Sequence, residues 1–163
     1  MRILFLTLFY SGKSAIAPGT MGSILALILG IPLLYYSTET IILLSIFIAL
    51  VAIKQIDIYE KNGGVHDDKS IVIDELVGMW IAMGMAGFSL VGIIGSFLFF
   101  RLYDITKPSL IGKIDKKTKG GLGVVGDDAL AGFLAGLSIL LVLKLMAYFG
   151  LDPNFGITIS YKN

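Results

Sequence analysis

From Ser14 to Thr38 the chain carries no charged side chain, and from Ala129 to Leu143 it again carries none. The first is long enough to cross a bilayer as a helix, and the second becomes so when it runs on to Phe149, with Lys144 snorkelling from near its end. The rest of the composition agrees, with 56% hydrophobic residues and only 15% charged ones. The mean hydropathy of +0.87 lies well above that of a typical soluble domain. The sequence therefore predicts an all-α fold, a small polytopic membrane bundle of about four to five hydrophobic helices, some of them short or re-entrant. At 163 residues it is one domain's worth of chain, taken as 1–163.

Five apolar stretches can be marked. The first is Ala15–Tyr36, with Pro18-Gly19-Thr20 as a break or helix start. The second, Thr40–Ile53, gives only ~21 Å at the helical rise and needs flanking residues to span. A third begins at Ile71 and a fourth ends at Phe100, with Gly84, Gly87 and Ser89 marking a turn between them. The fifth is Ala129–Phe149. The N-terminal run Ile3–Tyr10 with Ala15-Ile16-Ala17 mimics a signal peptide. Its apolar core is short, however, and Lys13 falls in the cleavage region, so that reading is not favoured.

Charge placement orients the spans. Arg2 and Lys13 precede the first, and Lys54, Lys61 and Lys69 follow the second. Arg101, Lys107, Lys113, Lys116, Lys117 and Lys119 lie between the fourth and fifth. The joints at Ser37–Glu39 and Gly87–Ser89 have no Lys or Arg. The positive-inside rule then puts the N-terminus and every chemically interesting loop on the cytoplasmic face. Small residues at helical spacing, Gly78 with Ala82, Gly132 with Gly136 and Ala131 with Ala135, predict close helix–helix packing.

Two adjacent acidic pairs, Asp74-Glu75 and Asp127-Asp128, stand at the mouths of apolar runs. Bare carboxylates there cost several kcal/mol, on the order of 2–7, unless something pairs with them. With Asp128 joined to Glu75 or Asp74, they offer the hard oxygen ligands that Mg²⁺ prefers. Arg101, Asp104 and Lys107 share a helix face, with Pro108 ending the helix. They read either as an ion-paired belt at the membrane edge or as a phosphate clamp. Gly120-Gly121-Leu122-Gly123 is expected as a loop that could present N–H groups to an anion, with Asp127 as a possible helix cap. The sole histidine, His66, beside Asp67 and Asp68, is a candidate proton carrier.

Several classes are excluded. The net charge of +1, with no basic run interleaved with aromatics, gives no basis for nucleic-acid binding. Zero cysteines remove disulfides and thiolate chemistry. Gly12-Lys13-Ser14 resembles a P-loop tail, but Thr7 stands where that motif needs glycine. One histidine cannot build a two-histidine lipid phosphatase site, and Asp115-Lys116-Lys117-Thr118 lacks the second aspartate of a D-x-D-x-T nucleophile. Nothing in the sequence specifies an oligomeric state.

Four blocks together resemble the phosphatidylglycerophosphatase A family. They are Ala17-Pro18-Gly19-Thr20-Met21-Gly22-Ser23; Gly64-Val65-His66-Asp67 with Ser70–Glu75 and Gly78-Met79-Trp80; Phe100–Pro108; and Gly120–Gly123 through Asp127-Asp128 to Ala131-Gly132. The resemblance spans roughly residues 10–145. It implies a Mg²⁺-dependent phosphatase of the bacterial cytoplasmic membrane that removes the terminal phosphate of phosphatidylglycerol phosphate, a phospholipid substrate held in the bilayer. Asp74, Glu75, Asp127 and Asp128 would then hold metal, and Arg101, Lys107, Thr20 and Ser23 the phosphate headgroup. Asp74, Glu75, Asp104, Asp128 and His66 would be the catalytic set. The family's glycine-rich entry is here Phe9-Tyr10-Ser11-Gly12-Lys13, and Ser109-Leu110 replaces its second proline. The alternatives are a small cation transporter or channel using the acidic pairs as an ion site, and a CDP-alcohol phosphotransferase, whose D-G-x-x-A-R motif is missing.

Overall fold

The computed structural model describes residues 1–66, 68–108, 118 and 120–157. Among them there is no strand. Six α-helices follow in order: α1 Arg2–Leu6, α2 Pro18–Tyr36, α3 Thr38–Lys61, α4 Ile73–Ala86, α5 Leu90–Thr106 and α6 Gly121–Tyr148. Of these, α2, α3 and α6 are long and apolar enough to cross a membrane. The short second stretch is lengthened as required, because α3 runs on through Lys54 to Lys61 and reaches ~36 Å.

The shortest of the five main helices sits at the centre. In α4 every residue except Ile81, Met85 and Ala86 is buried, with α2, α3, α5 and α6 all packed on it. A helix sheathed by protein needs no lipid-facing stripe, which is why the run from Leu76 to Ala86, past Asp74 and Glu75, reads as apolar all round. Its neighbours do carry such stripes. Leu43, Phe47 and Leu50 on α3, Ile94, Leu98 and Leu102 on α5, and Leu137, Leu141 and Leu145 on α6 are all exposed. Apolar surface on this scale belongs against lipid.

Small residues let α4 approach α6. A Cβ on Gly132 would come within 2.1 Å of the Gly78 carbonyl oxygen, and one on Gly78 within 2.5 Å of the Asp128 carbonyl. The predicted close packing is therefore present, and it brings the two acidic pairs face to face. The Trp80 indole N–H donates to the Ala26 carbonyl at 2.8 Å, tying α4 to α2.

The segment before α2 is packed on the bundle, with Leu6 and Leu8 buried. Val72 N–H donates to the Leu6 carbonyl at 2.9 Å. At the opposite end of the bundle, Tyr35 meets Phe88 edge-on at 5.4 Å, and Asn154 Oδ1 accepts from Leu90 N at 3.0 Å.

Two expectations are corrected. Gly84 lies inside α4, where a Cβ would strike Ile42 at 2.5 Å. The turn is made by Gly87, at φ 73°, and Ser89, whose Oγ caps α5 by accepting from Gly92 N at 3.0 Å. The glycine-rich run is likewise helix rather than loop, since α6 begins at Gly121, well before Ala129. These glycines serve close packing: a Cβ on Gly121 would fall 2.2 Å from the Ile53 carbonyl oxygen, and one on Gly123 2.0 Å from that of Thr118. Asp127 and Asp128 accordingly sit inside the helix, and Asp127 is not its cap. The orphan amide of Gly121 is satisfied from outside, by Asp57 Oδ1 at 2.8 Å.

Candidate active site

At the end of the bundle where α2, α4 and α6 begin and α3 and α5 finish lies a cavity of about 290 Å³. Its lining includes Gly19, Asp74, Glu75, Arg101, Asp104, Lys107, Asp127 and Asp128. The two acidic pairs are built alike. Asp74 Oδ1 accepts the Glu75 backbone N–H at 3.1 Å, and Asp127 Oδ1 accepts that of Asp128 at 3.0 Å. Each aspartate thus fixes the backbone that carries its neighbour.

Asp74, Glu75 and Asp128 converge, with one oxygen from each lying within 4.8 Å of the others and all three buried. Glu75 Oε2 is buried without a hydrogen-bond partner. A buried carboxylate oxygen with no donor is costly. Glu75 with Asp74 and Asp128 makes three carboxylates offering hard oxygens, which fit a divalent cation of the Mg²⁺ type. Asp127 stands differently, its Oδ2 accepting from Lys107 Nζ at 2.7 Å. Lys107 reaches it because α5 ends before Pro108 with Lys107 in the left-handed region, φ 40°.

The Arg101 guanidinium is held on both edges. Nη1 donates to Asp104 Oδ2 and, at 3.4 Å, to Ser23 Oγ; Nη2 donates to Thr20 Oγ1 at 3.2 Å. The Arg101–Asp104 pairing expected of a membrane-edge belt is present, but it lines the cavity. Thr20 and Ser23, expected at the headgroup, contact the arginine, and Ser23 also donates to the Gly19 carbonyl at 2.8 Å. Pro18 opens α2 and brings Gly19 under Glu75, where a Cβ would come within 2.5 Å of Oε1.

His66 is not brought to this cavity. It is exposed, with Nδ1 2.6 Å from Glu60 Oε1 at the end of α3. Asp67 lies outside the described residues, as do Lys113, Lys116, Lys117 and Lys119. Asp68 and Lys69, not singled out from the sequence as site residues, line the cavity. Asp68 Oδ2 accepts from the Tyr59 hydroxyl at 2.6 Å and its Oδ1 from Ser70 N at 2.9 Å. The Tyr59 hydroxyl, with help from the Ser70 amide, holds the Asp68 carboxyl below its usual range. The nine-residue spacing of Tyr59 and Asp68 has no period that could have revealed the contact. Asp57 as a cap for α6 was equally hidden, since the helix start itself was misplaced.

Fold and cavity together define a polytopic helical membrane enzyme whose carboxylates and cations are grouped as phosphoryl chemistry requires. The family profile of Phosphatidylglycerophosphatase A matches residues 4–143. The chain belongs to the phosphatidylglycerophosphatase A family, and is a phosphatase. It is 38% identical over 135 residues to Phosphatidylglycerophosphatase A of Escherichia coli, covering 78% of this chain and 74% of that one. It is 40% identical over 131 residues to the Haemophilus influenzae protein of the same name, covering 78% and 79%. A Bacteroides thetaiotaomicron protein named Putative phosphatidylinositol-3-phosphatase is 36% identical over 143 residues, covering 81% and 87%. No solved structure matches the chain. Family membership weighs against both the transporter and the CDP-alcohol phosphotransferase alternatives.

Proposed function

We propose that this protein hydrolyses the terminal phosphate of phosphatidylglycerol phosphate to give phosphatidylglycerol, with Mg²⁺, at the cytoplasmic face of the bacterial inner membrane. The observation that carries the reading is the orphaned Glu75 Oε2 among Asp74 and Asp128, in a cavity shared with Arg101 and Lys107. The family's named activity supplies the substrate. The placement of Arg2, Lys13, Lys54, Lys61, Lys69, Arg101 and Lys107 toward the cavity end supports a cytoplasmic orientation under the positive-inside rule.

Asp74, Glu75 and Asp128 would hold the metal. A bound Mg²⁺ supplies Lewis-acid polarisation of the phosphoryl group and a more acidic water. Arg101 binds non-bridging phosphate oxygens in a fixed orientation, because Asp104, Thr20 and Ser23 grip its guanidinium from two sides. Lys107 adds a second positive charge, placed by Asp127, to meet the charge that shifts onto oxygen in the transition state. Water oxygen bonds to phosphorus as the ester P–O bond breaks. The glycerol oxygen leaves with the bonding pair and takes up a proton, the attacking water gives one up, and the products are the lipid's hydroxyl and inorganic phosphate. The acyl chains stay in the bilayer, so only the headgroup enters.

The test is phosphate release from phosphatidylglycerol phosphate in detergent, with Mg²⁺ and with EDTA, beside phosphatidylinositol 3-phosphate as a competing substrate. Release that needs Mg²⁺ and is lost in Asp74→Ala and Asp128→Ala is expected. No release by the wild type, undiminished release by either variant, or preference for the inositol lipid would overturn the reading.

A further inference from the structure

Among the described residues the cavity has three basic side chains, and two are already engaged. Arg101 is bound to Asp104, Thr20 and Ser23, and Lys107 to Asp127. Lys69 is exposed and lines the same cavity from the loop between α3 and α4. Among the described residues it makes no ion pair.

The backbone that presents Lys69 is fixed on several sides. Ile71 N–H donates to the Asp68 carbonyl at 2.8 Å, closing a tight turn with Lys69 at its corner. The Asp68 carboxylate accepts from Ser70 N inside the turn and from Tyr59 of α3 outside it. Beyond the turn, Val72 N donates to the Leu6 carbonyl, and Gly12 approaches so closely that a Cβ would lie 2.1 Å from the Ser70 carbonyl oxygen. An ordinary surface lysine has no such mounting. A cation without an ion-pair partner among the described residues, on a turn held from several sides at the rim of a binding cavity, is placed for an anion on the ligand.

Resting on the reading above, the substrate brings two anionic groups. Its terminal phosphomonoester must reach the buried carboxylates and Arg101, which leaves the phosphodiester nearer the opening. We propose that Lys69 is a headgroup-binding residue that takes the non-reacting phosphodiester, and so favours lipids bearing both a phosphodiester and a terminal phosphomonoester. Neither Arg101 nor Lys107 discriminates in this way, because both meet the phosphate that every substrate monoester shares.

Product inhibition separates the two ends of the ligand. Hydrolysis of phosphatidylglycerol phosphate in mixed micelles with Mg²⁺ is measured against phosphatidylglycerol, which has only the diester, and against inorganic phosphate, which has only the group bound at the reacting end. In Lys69→Gln the inhibition constant for phosphatidylglycerol rises about two- to fivefold, the range of a partly screened charge contact. That for inorganic phosphate moves less than twofold. Lys69→Arg keeps the wild-type value, and Lys69→Glu weakens phosphatidylglycerol further. Equal movement of both constants, movement of neither, or no inhibition of the wild type by phosphatidylglycerol would overturn the proposal. Absence of phosphate release by the wild type overturns the substrate reading itself, and this inference with it.

Discussion

Gly19 lies directly beneath the Glu75 carboxylate, so close that a methyl group on its Cα would stand 2.5 Å from Oε1. The contact joins the first turn of α2 to the first turn of α4, and Arg101 flanks it at 3.4 Å. In Gly19→Ala the side chain that must give way is the one with the orphaned oxygen. Phosphate release is expected to fall at least tenfold, with half-maximal Mg²⁺ activation moving to higher concentration and the melting temperature in detergent nearly unchanged. Wild-type activity in that variant would remove Glu75 Oε1 from any positional role.

The buried carboxylates trade stability for function. Asp74, Glu75 and Asp128 are grouped in a protein interior, where like charges repel and desolvation is costly. Glu75→Gln and Asp128→Asn are therefore expected to melt at the same temperature as the wild type or higher in metal-free buffer, while losing at least 100-fold in kcat. Thermal melting in EDTA beside an activity assay checks both halves. A drop of several degrees with activity retained would make the trio a structural element.

How much of this could be read from the chain depends on range. The charge-free runs announced α2 and α6, and the two acidic pairs and Arg101-Asp104-Lys107 were legible because each is local in sequence. What failed was tertiary. Gly121 and Gly123 read as a flexible loop because glycine is a poor helix former, whereas the close approaches of the Ile53 and Thr118 carbonyls leave no room for a side chain. That Thr20 and Ser23 hold Arg101, some eighty residues on, was equally out of reach, because nothing local in the sequence links their hydroxyls to that guanidinium.

The Gly78–Gly132 crossing holds the two halves of the site together. A Cβ on Gly132 would meet backbone, the Gly78 carbonyl oxygen at 2.1 Å, so α4 and α6 must separate to accept it. Gly132→Ala is expected to cost about 1–3 kcal/mol, the usual penalty of overpacking, and to abolish activity. At Gly136 the added Cβ would meet the Met85 sulfur at 2.5 Å, which can swing away, and the Met85 Cβ at 2.8 Å, a smaller intrusion than the backbone oxygen 2.1 Å from Gly132. Gly136→Ala should be the milder change in both melting temperature and rate, and the reverse order would refute the account of the crossing.

His66 faces Glu60 outside the cavity, half exposed. A general acid or base at that place would need a substrate that bridges out of the carboxylate cage. His66→Ala is expected to retain at least a third of wild-type kcat, with no change in the pH–rate profile between pH 6 and 8. Loss of an inflection near the usual histidine value, about 6.5, would restore the residue to the catalytic set.

Asp127 and Lys107 are 2.7 Å apart, and the aspartate is the more deeply buried partner. That geometry pairs Asp127 with the lysine, while its neighbour Asp128 sits in the trio. The two roles separate kinetically. Asp127→Asn should raise KM for the lipid several-fold through a misplaced Lys107, with the Mg²⁺ concentration for half-activation shifted less than twofold. Asp128→Asn should weaken Mg²⁺ activation itself. In the double variant Asp127→Asn with Lys107→Met, the two effects on KM should fall short of additive, because either change alone already loses the pair. Should Asp127→Asn displace Mg²⁺ activation as far as Asp128→Asn does, Asp127 is a metal ligand and Lys107 only its counter-ion.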